Sequence, residues 1–166
     1  HKIVEDFVSK IEPYPSELYS GRGIVTSAYD KEFESAWVLF KELDRLNVTL
    51  PVEIFYKEGE LNQKQKDLIT GINPNFKLVL LEDNVSGWGV KPFSLLRSSF
   101  KEIIWIDTDN PPIRDVEFLF DDEEYKEKGS LFWRDVCGES FTPQTWEVYD
   151  IPPNDSEKFE TGQIVY

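Results

Sequence analysis

Short apolar runs alternate with stretches of helical hydrophobic spacing through the first two thirds of this chain. Four runs have the length and apolar content of buried strands: 23–29, 52–56, 77–81 and 103–106. Apolar residues recur every three or four positions in 33–46, and shorter helices are predicted at 63–69 and 91–100. Strands that alternate with helices in this way form βαβ units, in which helices flank a mostly parallel sheet. The sequence therefore predicts an α/β fold of Rossmann type.

The two ends of the chain are less regular than its middle. Residues 1–20 contain Pro13 and Pro15 and are interpreted as an N-terminal segment that leads into the first strand. After Pro111 and Pro112 the apolar pieces become short, and they lie at 116–120, 130–133, 146–149 and 162–166. No internal repeat interrupts the pattern, and no domain boundary is predicted within 21–166.

The charge of the chain limits its partners. A formal net charge of −14 leaves no basic face for the phosphates of a nucleic acid, so no nucleic acid is expected as a partner. An acidic protein that binds an anionic ligand needs a local device, such as a metal ion or a few aimed cations. No stretch approaches the roughly 20 apolar residues of a membrane span.

The motif Asp107-Thr108-Asp109 follows the most apolar predicted strand and precedes a proline-rich turn at 110–112. Open α/β sheets bind ligands outside the carboxyl ends of their strands, so the motif stands where a ligand is expected. If the extended geometry continues, the carboxylates of Asp107 and Asp109 point the same way and repel each other. A divalent cation removes this repulsion, and such oxygen ligands suit Mg²⁺ or Mn²⁺ that bridges to a substrate phosphate.

An Asp-x-Asp sequence also occurs in ordinary solvated turns, so the motif alone is a weak indicator of function. The apolar strand before it and the prolines after it favour a functional site. Two other hypotheses stay open on the residues alone. One is an aspartate-nucleophile phosphatase, which also places Asp-x-Asp after an apolar strand but continues with Thr or Val where this chain has Asn110. The other is a non-catalytic fragment that binds a sugar or a nucleotide.

The run 91–110, KPFSLLRSSFKEIIWIDTDN, resembles the core signature of the fungal Golgi α-mannosyltransferases. These are the mannan-branching and mannan-capping enzymes of glycosyltransferase family 71. Further segments match in the same order, at 21–25, 50–54, 119–120, 129–135 and 160–163. The resemblance spans 21–166, with mild departures at Thr108, where a smaller residue is more usual, and at Thr161, where Ser is more usual.

The resemblance implies a GT-A-like fold in which 21–166 is the nucleotide-sugar-binding, or donor, part. It implies a retaining α-mannosyltransferase that uses GDP-mannose, Mn²⁺ (or Mg²⁺) and a mannan or an N- or O-glycan acceptor. It also implies a type II membrane protein of the Golgi lumen whose anchor lies outside this chain. Family members continue well beyond Tyr166, so we expect the domain to be truncated at its C-terminal end and these residues alone to be inactive.

The donor site follows from the same resemblance. Asp107 and Asp109 are expected to bind the metal and, with Thr108, the donor. Lys91 is the best candidate for a cation that reaches the diphosphate, although a lysine at a helix start is often simply exposed. Four residues at the end of the first strand are expected beside the nucleotide: Thr26, Ser27, Ala28 and Tyr29.

Five residues are expected to contact the transferred sugar or the acceptor. Glu160 is the candidate for a catalytic carboxylate near the anomeric carbon, but retaining transfer need not involve a covalent nucleophile and none is assigned. Gly162 and Gln163 are expected beside it. Trp133 can stack on a sugar ring and Asp135 can bind hydroxyl groups, although a Trp in such an apolar run is more often part of a core.

Overall fold

Six strands form one mixed sheet in the computed structural model, which describes residues 5–6, 8–11, 15–135, 143–149 and 159–166. The strands are β1 (Arg22–Ser27), β2 (Val52–Tyr56), β3 (Phe76–Leu80), β4 (Glu102–Ile106), β5 (Leu131–Arg134) and β6 (Phe159–Val165). Their order across the sheet is β3-β2-β1-β4-β6-β5. The first four are parallel, and β6 runs antiparallel to both of its neighbours, β4 and β5.

Helices cover both faces of this sheet. The helices whose bounds lie within the described ranges are α1 (Phe33–Arg45), α2 (Gln63–Thr70), α3 (Val90–Arg97), α4 (Glu123–Lys128) and α5 (Pro143–Tyr149). Residues of α1, α2 and α4 pack on one face, and residues of α3 pack on the other. No helix within the described ranges has the length and apolar content needed to cross a bilayer.

The period of two in the strands divides the core into two layers. Ile24 and Ile104 face α1, where Phe40 is fully buried between the helix and the sheet. Val25 and Trp105 face the opposite side, together with residues of α3. Because both faces are covered, the central strands are apolar at nearly every position, which is the pattern of buried parallel strands.

The prediction of an α/β fold with a mostly parallel sheet flanked by helices is confirmed, and all four predicted strands are present. The helix predicted at 91–100 ends earlier, at Arg97, because Ser98 takes an extended conformation and directs Phe100 into the core. The piece at 116–120 lies largely in a 3₁₀ helix, Glu117–Asp121. Residues 1–4, 7 and 12–14 lie outside the described residues, so the division at residue 20 stays a prediction.

A polar cluster closes the amino edge of the sheet. The hydroxyl of Tyr125 donates to Glu102 Oε1 at 3.1 Å, and Arg22 Nε donates to Oε2 of the same carboxylate at 3.0 Å. The Arg22 guanidinium also lies 5.0 Å from the centre of the Phe120 ring. These contacts join the start of β1 and β4 to α4.

Replacing Tyr125 with Phe should reduce the loss of stability at alkaline pH. Burial, and then the neighbouring Glu102 charge, raise the pKa of Tyr125 from its ordinary 10.0 to about 12. A folded-state pKa above the unfolded one means that this stabilisation is complete below pH 10 and is lost as the pH rises towards 12. Urea unfolding midpoints on either side of pH 10 measure the effect. An identical decline with pH in both proteins would contradict the assignment.

Candidate functional site

The carboxyl ends of β1 to β4 meet at one edge of the sheet because these strands are parallel. The antiparallel β6 begins at this edge and β5 ends there. The edge therefore gathers 27–29, 107–110, 133–135 and 159–163. The order of strands reverses between β1 and β4, since β2 and β3 lie to one side of β1 and β4 lies to the other. Ligands of open α/β sheets bind at such a switch point.

Asp107 is the first residue after β4, and hydrogen bonds hold both its backbone and its carboxylate. Its N–H donates to the carbonyl oxygen of Gly162 on β6 at 2.7 Å. Its Oδ1 accepts from Trp105 Nε1 at 2.6 Å, and its Oδ2 accepts from Lys91 Nζ at 2.8 Å. The half-buried carboxylate is therefore fixed in orientation and balanced by a positive charge.

The chain turns immediately after Asp107. The N–H of Asn110 donates to the carbonyl oxygen of Asp107 at 3.0 Å, and the strand has already ended at Ile106. The extended geometry considered for the motif does not persist, so strand alternation is not what aims the two carboxylates. Thr108 is buried in this turn and Asp109 is exposed.

Asp109 lies close to the end of the first strand. The pKa of Tyr29 rises to about 12, mainly because of burial and the hydrogen bond with Glu32, and the Asp109 charge contributes. A negative charge raises the pKa of a phenol only when it is near. The turn after β4 and the segment after β1 thus lie side by side, as the strand order requires.

Lys91 lies in the first turn of α3 and is not a solvent-facing lysine. Its ammonium donates to Asp107 Oδ2 and, at 2.7 Å, to the carbonyl oxygen of Thr161. It also lies 5.2 Å from the centre of the Trp105 ring. This one side chain, 22% exposed, connects α3, β4 and β6.

The start of β6 braces the turn. Gln163 Nε2 donates to the carbonyl oxygen of Asn110 at 3.1 Å and lies 3.3 Å from its Oδ1. A Cβ at Gly162 would lie 2.5 Å from Asn110 Nδ2, so a larger residue at this position would displace the Asn110 side chain. Glu160 Oε1 accepts from the N–H groups of Thr161 and Gly162 at 2.8 and 2.7 Å, which holds its carboxylate against its own strand.

The other predicted residues differ in how accessible their side chains are. Thr26 and Ala28 are buried, at 0% and 1% exposure, so a nucleotide at this edge can reach their side chains only after a rearrangement. Ser27 and Tyr29 are half-buried. Trp133 is 37% exposed and pairs with Glu160, which argues against a purely core role. Asp135 is half-buried just beyond β5.

The sequence pattern did not indicate two sets of contacts, those of Trp105 and those of the loop before α3. Trp105 stands two residues before Asp107 on the same strand, and this spacing alone could have suggested a contact. The loop before α3 is held by Asp83, whose carboxylate accepts from Arg97 Nε and Nη2 at 2.9 and 2.7 Å; this pairing lowers the pKa of Asp83. Lys57 Nζ also donates to the carbonyl oxygens of Asp83, at 3.0 Å, and of Val85.

The architecture is that of the GT-A glycosyltransferases. A crystal structure of the galactosyltransferase LgtC with donor and acceptor sugar analogues matches with a TM-score of 0.58 and 12% identity, over 86% of this chain and 56% of LgtC. The glycosyltransferase GlyE of Streptococcus pneumoniae TIGR4 matches with a TM-score of 0.55 and 14% identity, over 80% of this chain and 36% of GlyE. At such low identities the TM-scores show a common fold and nothing further.

The family model described as "Mannosyltransferase putative" matches residues 21–164, and the chain belongs to this family. It is 27% identical over 164 residues to alpha-1,2-mannosyltransferase MNN2 of Saccharomyces cerevisiae, covering 90% of this chain and 27% of that protein. It is 26% identical over 132 residues to MNN2 of Candida albicans, covering 74% and 22%. The chain spans about a quarter of the length of these relatives. The predicted resemblance is confirmed, and the phosphatase hypothesis has no support.

Proposed function

We propose that this chain is the donor-binding part of a retaining α-mannosyltransferase that takes mannose from GDP-mannose to a mannan or glycan acceptor. The observation that carries the proposal is the Asp107 carboxylate, held at the switch point of a GT-A sheet beside the Lys91 ammonium. The chain is acidic overall, and the Lys91 ammonium supplies the local positive charge that an anionic donor requires. The family membership supports mannose as the transferred sugar.

A divalent metal fits the residues of this edge. No group of three or more His, Cys, Asp or Glu side chains that could hold a metal exists within the described part of the chain. Two aspartates are enough for Mg²⁺ or Mn²⁺, which keep several waters and take further oxygens from a substrate diphosphate. The Lys91 ammonium already pairs with Asp107 Oδ2, so this oxygen binds a cation in the folded chain.

On the donor side, Asp107 and Asp109 would hold the metal, Mn²⁺ or Mg²⁺, which neutralises charge on the leaving diphosphate when bound. Lys91 would donate hydrogen bonds to diphosphate oxygens, since its ammonium already lies between the motif and β6. Ser27 and Tyr29 are the residues of the first-strand loop whose side chains are accessible to the nucleotide. Thr108 would shape the turn from its buried position.

On the sugar side, Glu160 would lie near the anomeric carbon, with its carboxylate oriented by two backbone N–H groups. Gly162 and Gln163 would keep the turn after Asp107 at a fixed distance from β6. Trp133 presents a partly exposed indole opposite Glu160, and such a ring can stack on a sugar. Asp135 would bind hydroxyl groups of the acceptor.

The proposed setting is the lumen of the Golgi, in a type II membrane protein. The relatives carry names of α-1,2-mannosyltransferases, which makes an α-1,2 linkage the first product to examine. Donor binding is the part of the proposed activity that is tested on this chain. An N- or O-glycan acceptor can then be added together with GDP-mannose to test for transfer.

Calorimetric titration of GDP, with and without Mn²⁺, tests the proposal. We expect micromolar binding of GDP that requires Mn²⁺ and disappears when the metal is chelated. UDP serves as the matched control, because it carries the same diphosphate on another base and should bind more weakly. A folded sample that binds no GDP in the presence of Mn²⁺ would overturn the proposal.

A further inference from the structure

The buried side chain of Trp105 contacts both charged groups of the candidate site. Its indole N–H donates to Asp107 Oδ1 at 2.6 Å, and the centre of its ring lies 5.2 Å from Lys91 Nζ. The same Nζ donates to Asp107 Oδ2 at 2.8 Å. Carboxylate, ammonium and indole therefore form a closed set of three contacts.

The indole is held rigidly by its place in the sheet. Trp105 lies on the central strand β4, is 1% exposed, and pairs with Val25 of β1 and Ile164 of β6. Its ring is packed in the core layer that also contains Phe55 and Phe100. A ring enclosed in this way keeps one orientation, so the carboxylate that it binds is also confined.

The two oxygens of Asp107 consequently have different roles. Oδ1 is bound by an indole N–H that cannot move away, whereas Oδ2 is bound by a flexible lysine side chain. A cation that approaches Asp107 competes with the lysine and not with the indole. When the lysine leaves Oδ2, its ammonium remains beside the site and can pair with an anionic ligand.

We infer that Trp105 is a positioning residue that presents Asp107 Oδ2 to a divalent cation and keeps Lys91 beside it as an exchangeable counter-ion. The inference rests on the proposed function, because it assumes a metal-dependent diphosphate ligand. It goes beyond that proposal by assigning a role to a core residue and by predicting that metal and nucleotide diphosphate favour each other's binding. Metal alone must displace the ammonium, whereas metal with a diphosphate gives the ammonium a new partner.

The variant Trp105→Phe separates positioning from packing. It keeps an aromatic ring in the core and beneath Lys91 but removes the N–H donor. Loss of such a supporting hydrogen bond typically lowers metal affinity by about 10–100-fold, and we expect about tenfold weaker Mn²⁺ binding in the presence of GDP. The matched control is Trp37→Phe, because Trp37 lies on α1 and stacks against Phe33, which packs on the opposite face of the sheet from Trp105.

Electron paramagnetic resonance of free Mn²⁺ measures this affinity without an assay of activity. Folded Trp105→Phe that binds Mn²⁺ as tightly as the unchanged chain would overturn the inference, whereas weaker binding in Trp105→Phe and not in Trp37→Phe supports it. If the unchanged chain shows no Mn²⁺-dependent GDP binding, the proposed function fails first. The two failures are therefore distinguishable.

A second variant keeps the inference testable if Trp105→Phe does not fold. Lys91→Met removes the ammonium and leaves the indole in place, at a side chain whose end is partly accessible. We expect Mn²⁺ alone to bind this variant several-fold more tightly, while GDP with Mn²⁺ binds less tightly. If Mn²⁺ alone binds this variant no more tightly than the unchanged chain, the proposal that the metal displaces the ammonium is wrong.

Discussion

Replacing Asp107 with Asn should lower the affinity for GDP in the presence of Mn²⁺ by about 100-fold or more. The amide has the size of the carboxylate and can still accept from the Trp105 indole, so the turn should keep its shape. It lacks the negative charge that binds a divalent cation, and it leaves Lys91 without its ion pair. Supporting residues of metal sites typically change affinity by about 10–100-fold, and loss of a direct ligand should exceed this.

The matched control for Asp107→Asn is Asp121→Asn. Asp121 is exposed at the opposite edge of the sheet, where its nearest cations are Lys126 at 3.5 Å and Arg22 at 3.8 Å. Exposed pairs of this kind contribute little, so GDP binding should be unchanged. Calorimetry of the three proteins at equal Mn²⁺ provides the comparison. A folded Asp107→Asn chain that binds GDP as well as the control would exclude Asp107 as a metal ligand.

Replacing Gly23 with Ala should lower the free energy of unfolding by about 1–3 kcal/mol, the usual cost of overpacking a core. A Cβ at Gly23 would lie 2.2 Å from Cε2 of the Phe100 ring and 2.4 Å from two further ring atoms. The ring has little room to retreat, because Phe100 is 8% exposed and packed in the core. The backbone of Gly23 is held as well, since β1 is paired on both sides.

Urea unfolding measures this cost, and Gly89→Ala is the matched control. Gly89 has a φ of −70°, which alanine adopts freely, and a Cβ there would meet Val85 at an ordinary 3.5 Å. We expect the control to unfold at about the urea concentration of the unchanged chain. Shortening Phe100 to Leu in the Gly23→Ala background should recover part of the loss. Equal stability of the two alanine variants would mean that the ring does not press on Gly23.

The central strands could be predicted because burial on both faces requires a continuous run of apolar residues, which is visible in the local sequence. The strand at 52–56 has the predicted bounds. Its apolar content and the proline before it are features of the segment itself, so no distant contact was needed to predict it. The pairing of β6 between β4 and β5 has no corresponding pattern in the local sequence. It depends on contacts between segments far apart in sequence, so the sequence indicated a final short piece but not its partner strands.

The sequence predicts which residues form the candidate site, but it does not predict how they contact one another. Asp107 and Lys91 were identified separately, yet their ion pair joins residues that no local pattern relates. Trp105 was interpreted as part of an apolar strand, and it is both a core residue and a donor to Asp107. The side chains of Thr26 and Ala28 are buried whereas those of Ser27 and Tyr29 are partly accessible, a difference that depends on the packing of β1 in the sheet.

The position of β6 between β4 and β5 also determines when the site can form during synthesis on the ribosome. The carbonyl oxygens of Gly162 and Thr161 complete the contacts of Asp107 and Lys91, so the motif at the end of β4 is unfinished until β6 has emerged. A nascent chain that ends at β5 exposes the edge of β4, and open edges of this kind pair readily with other chains. Assembly of the site and protection of the β4 edge therefore both depend on the emergence of β6.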